Sequence, residues 1–351
     1  MSKVMVEVKH HLASGCCMWS GIEDVYATKT NQELPDGFLF ALSSYGETTL
    51  VKMDRENPYF LSTCDGRTRK TYNRIKDDLG LQYQISKGRT LSYALSSIKK
   101  EIDNGKPVIL GPLDMYYLPY LKMYHKIHIP MHYVMMVGYD SDKSCVYIYD
   151  CDRVELQELP ESELVQAWQV GKSSVGDKNG FIRFKLSDTL LDQYELAKVC
   201  MRQKAERQLC IKPDFVGVNA YSKLAKLLPV WKEQYSKEEY KKHLVAMTEW
   251  FGMVPKLPNP ILGEKGEDMP YHGNYDRFGA MLSVLGEKYG HSYWIKSGEL
   301  FQLCGKNMEK IVHYIVRDYL KDSDSTIEIQ ELLLDNGRSA REAYELIREE
   351  Q

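Results

Sequence analysis

No apolar run in this 351-residue chain approaches the roughly 18 residues that a membrane-crossing helix needs, and the Met1 region has no secretory h-region. The eight cysteines form no C-x-x-C pair and show no even, disulfide-type spacing. Together these point to a reduced, soluble, cytoplasmic protein. There is no Walker-type glycine loop to cradle a nucleotide's phosphates. There is no basic block either: 46 basic residues stand against 49 acidic ones, for a net charge of −3. Nucleic acid and anionic membrane are therefore not expected partners. Internal repeats and low-complexity tracts are also missing. What is present is an apolar share of 43%, enough for a substantial core, and 25 tyrosines, some of which could line a ligand pocket.

Three residues carry the chemistry. Gly15-Cys16-Cys17 precedes a stretch with apolar positions at Met18, Trp19, Ile22, Val25 and Tyr26, one face of a 3.6-period helix. Cys17 therefore falls at or just before the first turn, where unpaired N–H groups and the positive dipole end favour a thiolate. Cys16 takes that place only if the helix starts one residue earlier. Far downstream, Met131 to Tyr139 reads as a buried strand, Asp140 to Ser144 as a polar turn and Cys145 to Asp150 as the returning strand. A turn centred near 142 sets His132 opposite residues 150 to 152, within reach of a carboxylate that could hold the imidazole in one tautomer. Asp150 and Asp152 share a face by the two-residue period, so spacing does not choose between them.

Helices expected over 68–79 and from Thr90 to Gly105, and strands at 4–8, 81–85, 107–110 and 181–186, complete an α+β domain with the Cys helix packed on an antiparallel sheet. From Ser187 the pattern turns helical, and Pro255, Pro258, Pro260 and Pro270 mark one irregular connection. The expected domains are 1–186, catalytic, and 187–351, all-α. Trp19, Tyr116, Tyr117 and Tyr120 are candidates to line a substrate groove. Arg277, beside Asp276, is a ligand clamp or part of a helix cap. His125-x2-His128-x3-His132, with His10 and His11 outside it, is the one candidate metal cluster. Pro130 and the strand after it deny the helix that usually presents such spacing, and no resident metal is expected.

GCCMWSGIEDVY, DMYYLPY, HYVMMVGYD and YIYD together resemble the N-terminal domain of the butirosin biosynthesis protein H family, and GNYDRFGAML resembles the helical domain often found behind it. The resemblance implies a papain-like fold, similar to bacteriocin-processing cysteine peptidases and to thiotemplated amide synthases of polythioamide assembly. It implies transfer of an acyl group from a carrier-protein thioester to an amine, with Cys17 as nucleophile, His132 as base and Asp150 rather than Asp152 as orienter. His11, six residues before Cys17, is the candidate oxyanion donor, since Cys16 stands where many members have a histidine. The implied partners are an acyl or peptidyl carrier protein and a small amine, the thioester being presented on the carrier's phosphopantetheine with no other cofactor. A homodimer is compatible with the sequence. A peptidase or amide hydrolase using water, and a non-catalytic or metal-binding module, are the competing classes.

Overall fold

The structure, a computed structural model, describes residues 3–12, 17–35, 37–52, 59–63, 68–173, 175–210, 212–248 and 274–349. In chain order its elements are β1 (Lys3–Met5), α1 (Ser20–Thr30), α2 (Phe38–Leu42), β2 (Thr49–Lys52), β3 (Tyr59–Ser62), α3 (Thr68–Asn73), β4 (Leu81–Ser86), α4 (Leu91–Asp103), β5 (Val108–Leu113), a 3-10 turn (Met115–Tyr117), β6 (His132–Asp140), β7 (Cys145–Tyr149), β8 (Gln157–Pro160), α5 (Glu161–Ala167), β9 (Phe181–Leu186), α6 (Gln193–Gln208), α7 (Asn219–Gln234), α8 (Lys237–Thr248), α9 (Asn274–Tyr289), α10 (Ser292–Lys321) and α11 (Thr326–Glu349). The α+β expectation holds.

The chain divides into two compact units, 1–40 with 66–196, and 41–65 with 197–351. Against the sequence boundary at 187, residues 187–196 fall with the first unit and 41–65 with the second. The described elements from Gln193 onward are all helices, yet the second unit also takes in the β2–β3 hairpin.

The first unit is built on a seven-stranded sheet in the order β4-β9-β5-β6-β7-β8, with β1 added beside the far end of β6. Every pairing is antiparallel. Alternation along the central hairpin gives two apolar faces. Val134, Met136, Val146 and Ile148 pack with Ala94 and Ile98 of α4 and Leu164 of α5. Met135, Val137, Cys145 and Tyr147 turn the other way and meet Val25 of α1. Between Met136 and Gly138 the β6–β7 register shifts by one residue. Such a shift reverses which face a side chain takes; here it lets Met136 pair with Ile148 on one side of the irregularity and Gly138 with Tyr147 on the other.

Helix α4 starts where its sequence says it should. The Thr90 hydroxyl caps it by accepting from the Tyr93 N–H at 3.3 Å, and Gly105, at φ 71°, follows its end.

In the second unit, the stretch before β2 is held at its centre. Lys204 of α6 is fully buried; its ammonium donates to the carbonyls of Ala41 and Tyr45 and lies 4.3 Å from the Phe278 ring centroid. Gln208 accepts from the Thr48 N–H at 2.8 Å, Arg207 pairs with Glu47 at 2.7 Å, and the Tyr344 hydroxyl donates to the Gly46 carbonyl at 2.9 Å. A cavity of about 340 Å³ also lies in this unit, beside Tyr240. Its lysines are matched by aspartates, Lys237 and Lys241 with Asp322 at 2.7 and 2.6 Å and Lys232 with Asp324.

Candidate active site

Cys17 lies three residues ahead of α1, in a turn that ends at Trp19. The Trp19 carbonyl accepts from both Ile22 and Glu23 N–H at 2.9 Å and so opens the helix without a side-chain cap. Met18, next to the cysteine, is pinned through its carbonyl by the Tyr72 hydroxyl at 2.9 Å. Trp19, Ile22 and Tyr26 are buried, and the Trp19 ring lies 4.8 Å from that of Tyr72. Trp19 is thus a core residue that anchors the turn rather than a groove wall. A close approach completes the placement. A Cβ on Gly21 would sit 3.1 Å from Met135 Cβ and 3.3 Å from Ile109 Cγ1, so the missing side chain lets α1 press onto β5 and β6. Cys17 itself is a free, half-buried thiol. Cys16 lies outside the described residues.

His132 opens β6 and pairs across the ladder with Leu113. Its Nε2 meets both oxygens of Asp150, at 2.7 and 2.9 Å. The His132 side chain is 11% exposed and that of Asp150 is 0% exposed, so this ion pair is closed to solvent on the carboxylate side. Asp150 is further satisfied by the Cys151 N–H at 2.7 Å and by the Tyr120 hydroxyl at 2.8 Å. Burial raises the Asp150 pKa, but the His132 hydrogen bond and charge, then Tyr120 and the Cys151 N–H, outweigh it and hold the carboxyl below its ordinary value. Burial likewise works against a charged His132. The hydrogen bond and charge of Asp150, followed by those of Cys17, overcome it and push the imidazole up to about 10. The Cys17 thiol therefore lies close enough to the ring to favour its charged form. Since Nε2 faces the carboxylate, Nδ1 is the nitrogen left for the sulfur. An oriented imidazole near a cysteine sulfur is the pairing that nucleophilic catalysis by cysteine uses.

Asp152 points elsewhere and pairs with Arg153 at 2.8 Å. Tyr120 is not a groove wall but a partner of Asp150. Its phenol is held well above the ordinary value by burial and by the neighbouring Asp150 charge, which keeps it a donor. Arg153 covers the Tyr120 ring at 4.5 Å and donates to its carbonyl at 2.9 Å. Tyr116 and Tyr117 are half-buried neighbours, their rings 4.9 Å apart and edge-on. Arg277 lies in the first turn of α9, exposed and in the other unit.

The sequence reading missed Asp24. This α1 carboxylate is fully buried, bonds His10 Nδ1 at 2.6 Å and accepts from the His11 N–H at 3.1 Å. His10 also reaches the Arg153 carbonyl at 2.8 Å and stacks 4.2 Å from Tyr149. The His10 segment thus ties the cysteine helix to the end of the strand that leads into Asp150. The His11 ring approaches Asp24 at 3.1 Å without hydrogen-bond alignment, so the contact is one of charge. Asp24 raises the pKa of His11, and it raises that of His10 against the cost of burial. The only signal for Asp24 in the sequence was a carboxylate on a helix preceded by two adjacent histidines. Nothing local showed that the histidine segment folds back over it.

The three histidines at 125, 128 and 132 do not converge. His132 is committed to Asp150 and His128 to Asp114, and the described residues gather no group of three His, Cys, Asp or Glu side chains suited to a metal ion. Among the described residues no helix is long and apolar enough to cross a membrane.

Residues 16–151 match the family model described as "Butirosin biosynthesis protein H, N-terminal". The matched span contains Cys17, His132 and Asp150 and ends one residue past the aspartate. No curated protein matches the chain.

Proposed function

We propose that this chain, whose residues 16–151 belong to the butirosin biosynthesis protein H N-terminal family, is a biosynthetic acyltransferase that forms amides from carrier-bound thioesters. The observation that carries the reading is the buried clamp of Asp150 on His132 Nε2, and the Cys17 thiol adds to the pull that keeps the same imidazole charged. In this scheme Cys17 thiolate attacks the thioester carbonyl and the bond to the carrier's pantetheine sulfur breaks. His132 gives its proton to the departing thiolate. An amine then attacks the acyl-Cys17 carbonyl, its N–H proton passes to His132, and the sulfur leaves as thiolate. The ion pair is restored with no nucleotide consumed, because the thioester arrives activated.

Asp150 holds the imidazole in the tautomer that serves both steps, and Tyr120 holds Asp150. The cysteine helix packed on an antiparallel sheet fits the papain-like arrangement. His11, whose pKa Asp24 raises, is the side-chain candidate for the oxyanion. Tyr116 and Tyr117 are the candidates to contact the acyl chain. The helical unit, which includes Arg277, takes a role in recognising the carrier or the substrate.

Intact-protein mass spectrometry tests this directly. Hexanoyl-N-acetylcysteamine should add one acyl group to the wild type and none to Cys17→Ala, and added butylamine should discharge it as amide. Discharge to free acid alone would make the protein a hydrolase, and acylation that survives in Cys17→Ala would overturn the assignment.

A further inference from the structure

The loop from Asp114 to Met131 borders the proposed site. Leu113, just before it, pairs with His132, and its middle supplies Tyr120 to Asp150. This loop carries its own carboxylate–imidazole pair, which the acyl-transfer scheme does not use. Asp114 Oδ2 meets His128 Nδ1 at 2.6 Å. The other oxygen, Oδ1, is fixed by the N–H groups of Tyr116 at 3.1 Å and Ile129 at 3.0 Å. The His128 ring stacks on Tyr116 with centroids 4.0 Å apart and planes 14° from parallel. Yet the His128 side chain is 61% exposed, against 13% for Asp114.

Burial gains little from holding an imidazole this way, because Asp114 Oδ1 already closes the loop through two backbone N–H groups. What the pair does achieve is chemical. With Nδ1 engaged by Asp114 and the ring stacked on Tyr116, Nε2 is the His128 nitrogen left for a ligand, on a side chain that is 61% exposed. A nitrogen lone pair with a largely buried carboxylate behind it suits a cationic hydrogen-bond donor: an alkylammonium ion. The other titratable groups facing the ring are Tyr116 and Tyr117, the latter 6.1 Å away, and His125 lies 5.1 Å from the same Tyr116.

We propose that the Asp114–His128 pair binds the acceptor amine as its ammonium ion and removes one proton before the amine attacks the acyl group on Cys17. The inference rests on the acyltransferase reading and names its acceptor class: basic aliphatic amines. The balance is complete. His128 Nε2 takes a proton from R–NH3+, whose N–H electron pair becomes the nucleophilic lone pair. Asp114 stabilises the imidazolium that forms, and its proton then passes to water from the exposed ring. The second proton, released as the C–N bond forms and the C–S bond breaks, goes to His132.

The test uses the full chain preloaded with hexanoyl-N-acetylcysteamine and follows decay of the acyl-enzyme by mass. With butylamine at pH 7, decay in His128→Gln should slow by roughly 10²-fold. The defect should shrink as pH approaches the amine's own pKa, where solution supplies the free base. Trifluoroethylamine, neutral at pH 7, should discharge His128→Gln and wild type alike, which separates lost proton removal from a damaged site. Asp114→Asn should repeat the pattern more weakly. Equal butylamine rates in both proteins at pH 7, or an equal loss with both amines, would overturn the proposal. If the wild type never forms an acyl-Cys17 adduct, the acyltransferase reading falls and this inference falls with it.

Discussion

Tyr120 and His132 share one carboxylate: the phenol donates to Asp150 Oδ2 at 2.8 Å and the imidazole Nε2 lies 2.7 Å from the same oxygen. The orientation of the imidazole therefore depends on a residue in an irregular loop as well as on the hairpin.

This geometry sets a graded series. His132→Ala and Asp150→Asn should each slow acylation by about 10²–10⁴-fold, and the double variant should be little worse than either, because the pair acts as one unit. Tyr120→Phe keeps the ring under Arg153 and removes one of the donors to Asp150, so a loss of about tenfold in kcat with KM nearly unchanged is expected. Asp152→Asn should stay close to wild type, since Asp152 bonds Arg153 instead. Single-turnover acylation rates for the five proteins would check the order; a dead Asp152→Asn beside an active Asp150→Asn would break it.

The pH dependence follows from the same pair. His132 is raised from 6.5 to about 10, so the stability it contributes is present in full below 6.5 and is lost as pH rises through about 10. Asp150 is lowered from 3.8, so its share holds above that value and fades as pH falls through the lowered one. Melting temperatures should show the penalty of Asp150→Asn largest between the two ordinary values, 3.8 and 6.5, and shrinking as pH rises toward 10. NMR titration of the imidazole should place His132 far above an ordinary histidine in the wild type and move it down in Asp150→Asn. An unshifted His132 in the wild type would contradict the structure.

Gly21 offers a third check, because stability and chemistry should part there. Alanine is worth up to about 1 kcal/mol more than glycine within a helix. Its Cβ would meet Met135 Cβ at 3.1 Å, so α1 must lift by a few tenths of an ångström or Met135 must yield. Gly21→Ala should therefore melt within a few degrees of wild type while acylation of Cys17 drops by about tenfold, as misplaced reacting groups cost rate. A faster or unchanged acylation rate would show that this contact does not position the sulfur.

The parts of the fold that local pattern governs were legible. The polar turn after Asp140 and the alternation on either side of it brought His132 and Asp150 within reach, although the register shift near Val137 was invisible. Thr90 and Gly105 bracketed α4 because capping is a local matter. The stretch from Leu34 to Phe60 was not legible: α2 has five residues and β2 and β3 four each, too few for either period to show. Their partners, such as Lys204 and Tyr344, lie far along the chain. Tyr120 read as a groove residue because an aromatic loop carries no sign of which hydroxyl will find a buried carboxylate.

The order of synthesis gives residues 41–65 a particular history. They emerge from the ribosome early, inside the span that matches the family model, yet side chains of α6, α9 and α11 hold Thr48 and Gly46 among them. Until those helices are made, Leu50, Phe60 and Leu61, all buried in the finished protein, have no core to enter. The nascent first unit must therefore fold while β2 and β3 still lack their partners, and sequence-based excision of the matched span would keep these strands and discard the helices that hold them. A fragment of 16–151 should consequently be sticky and protease-sensitive in residues 41–65, even where the sheet beneath the nucleophile has formed.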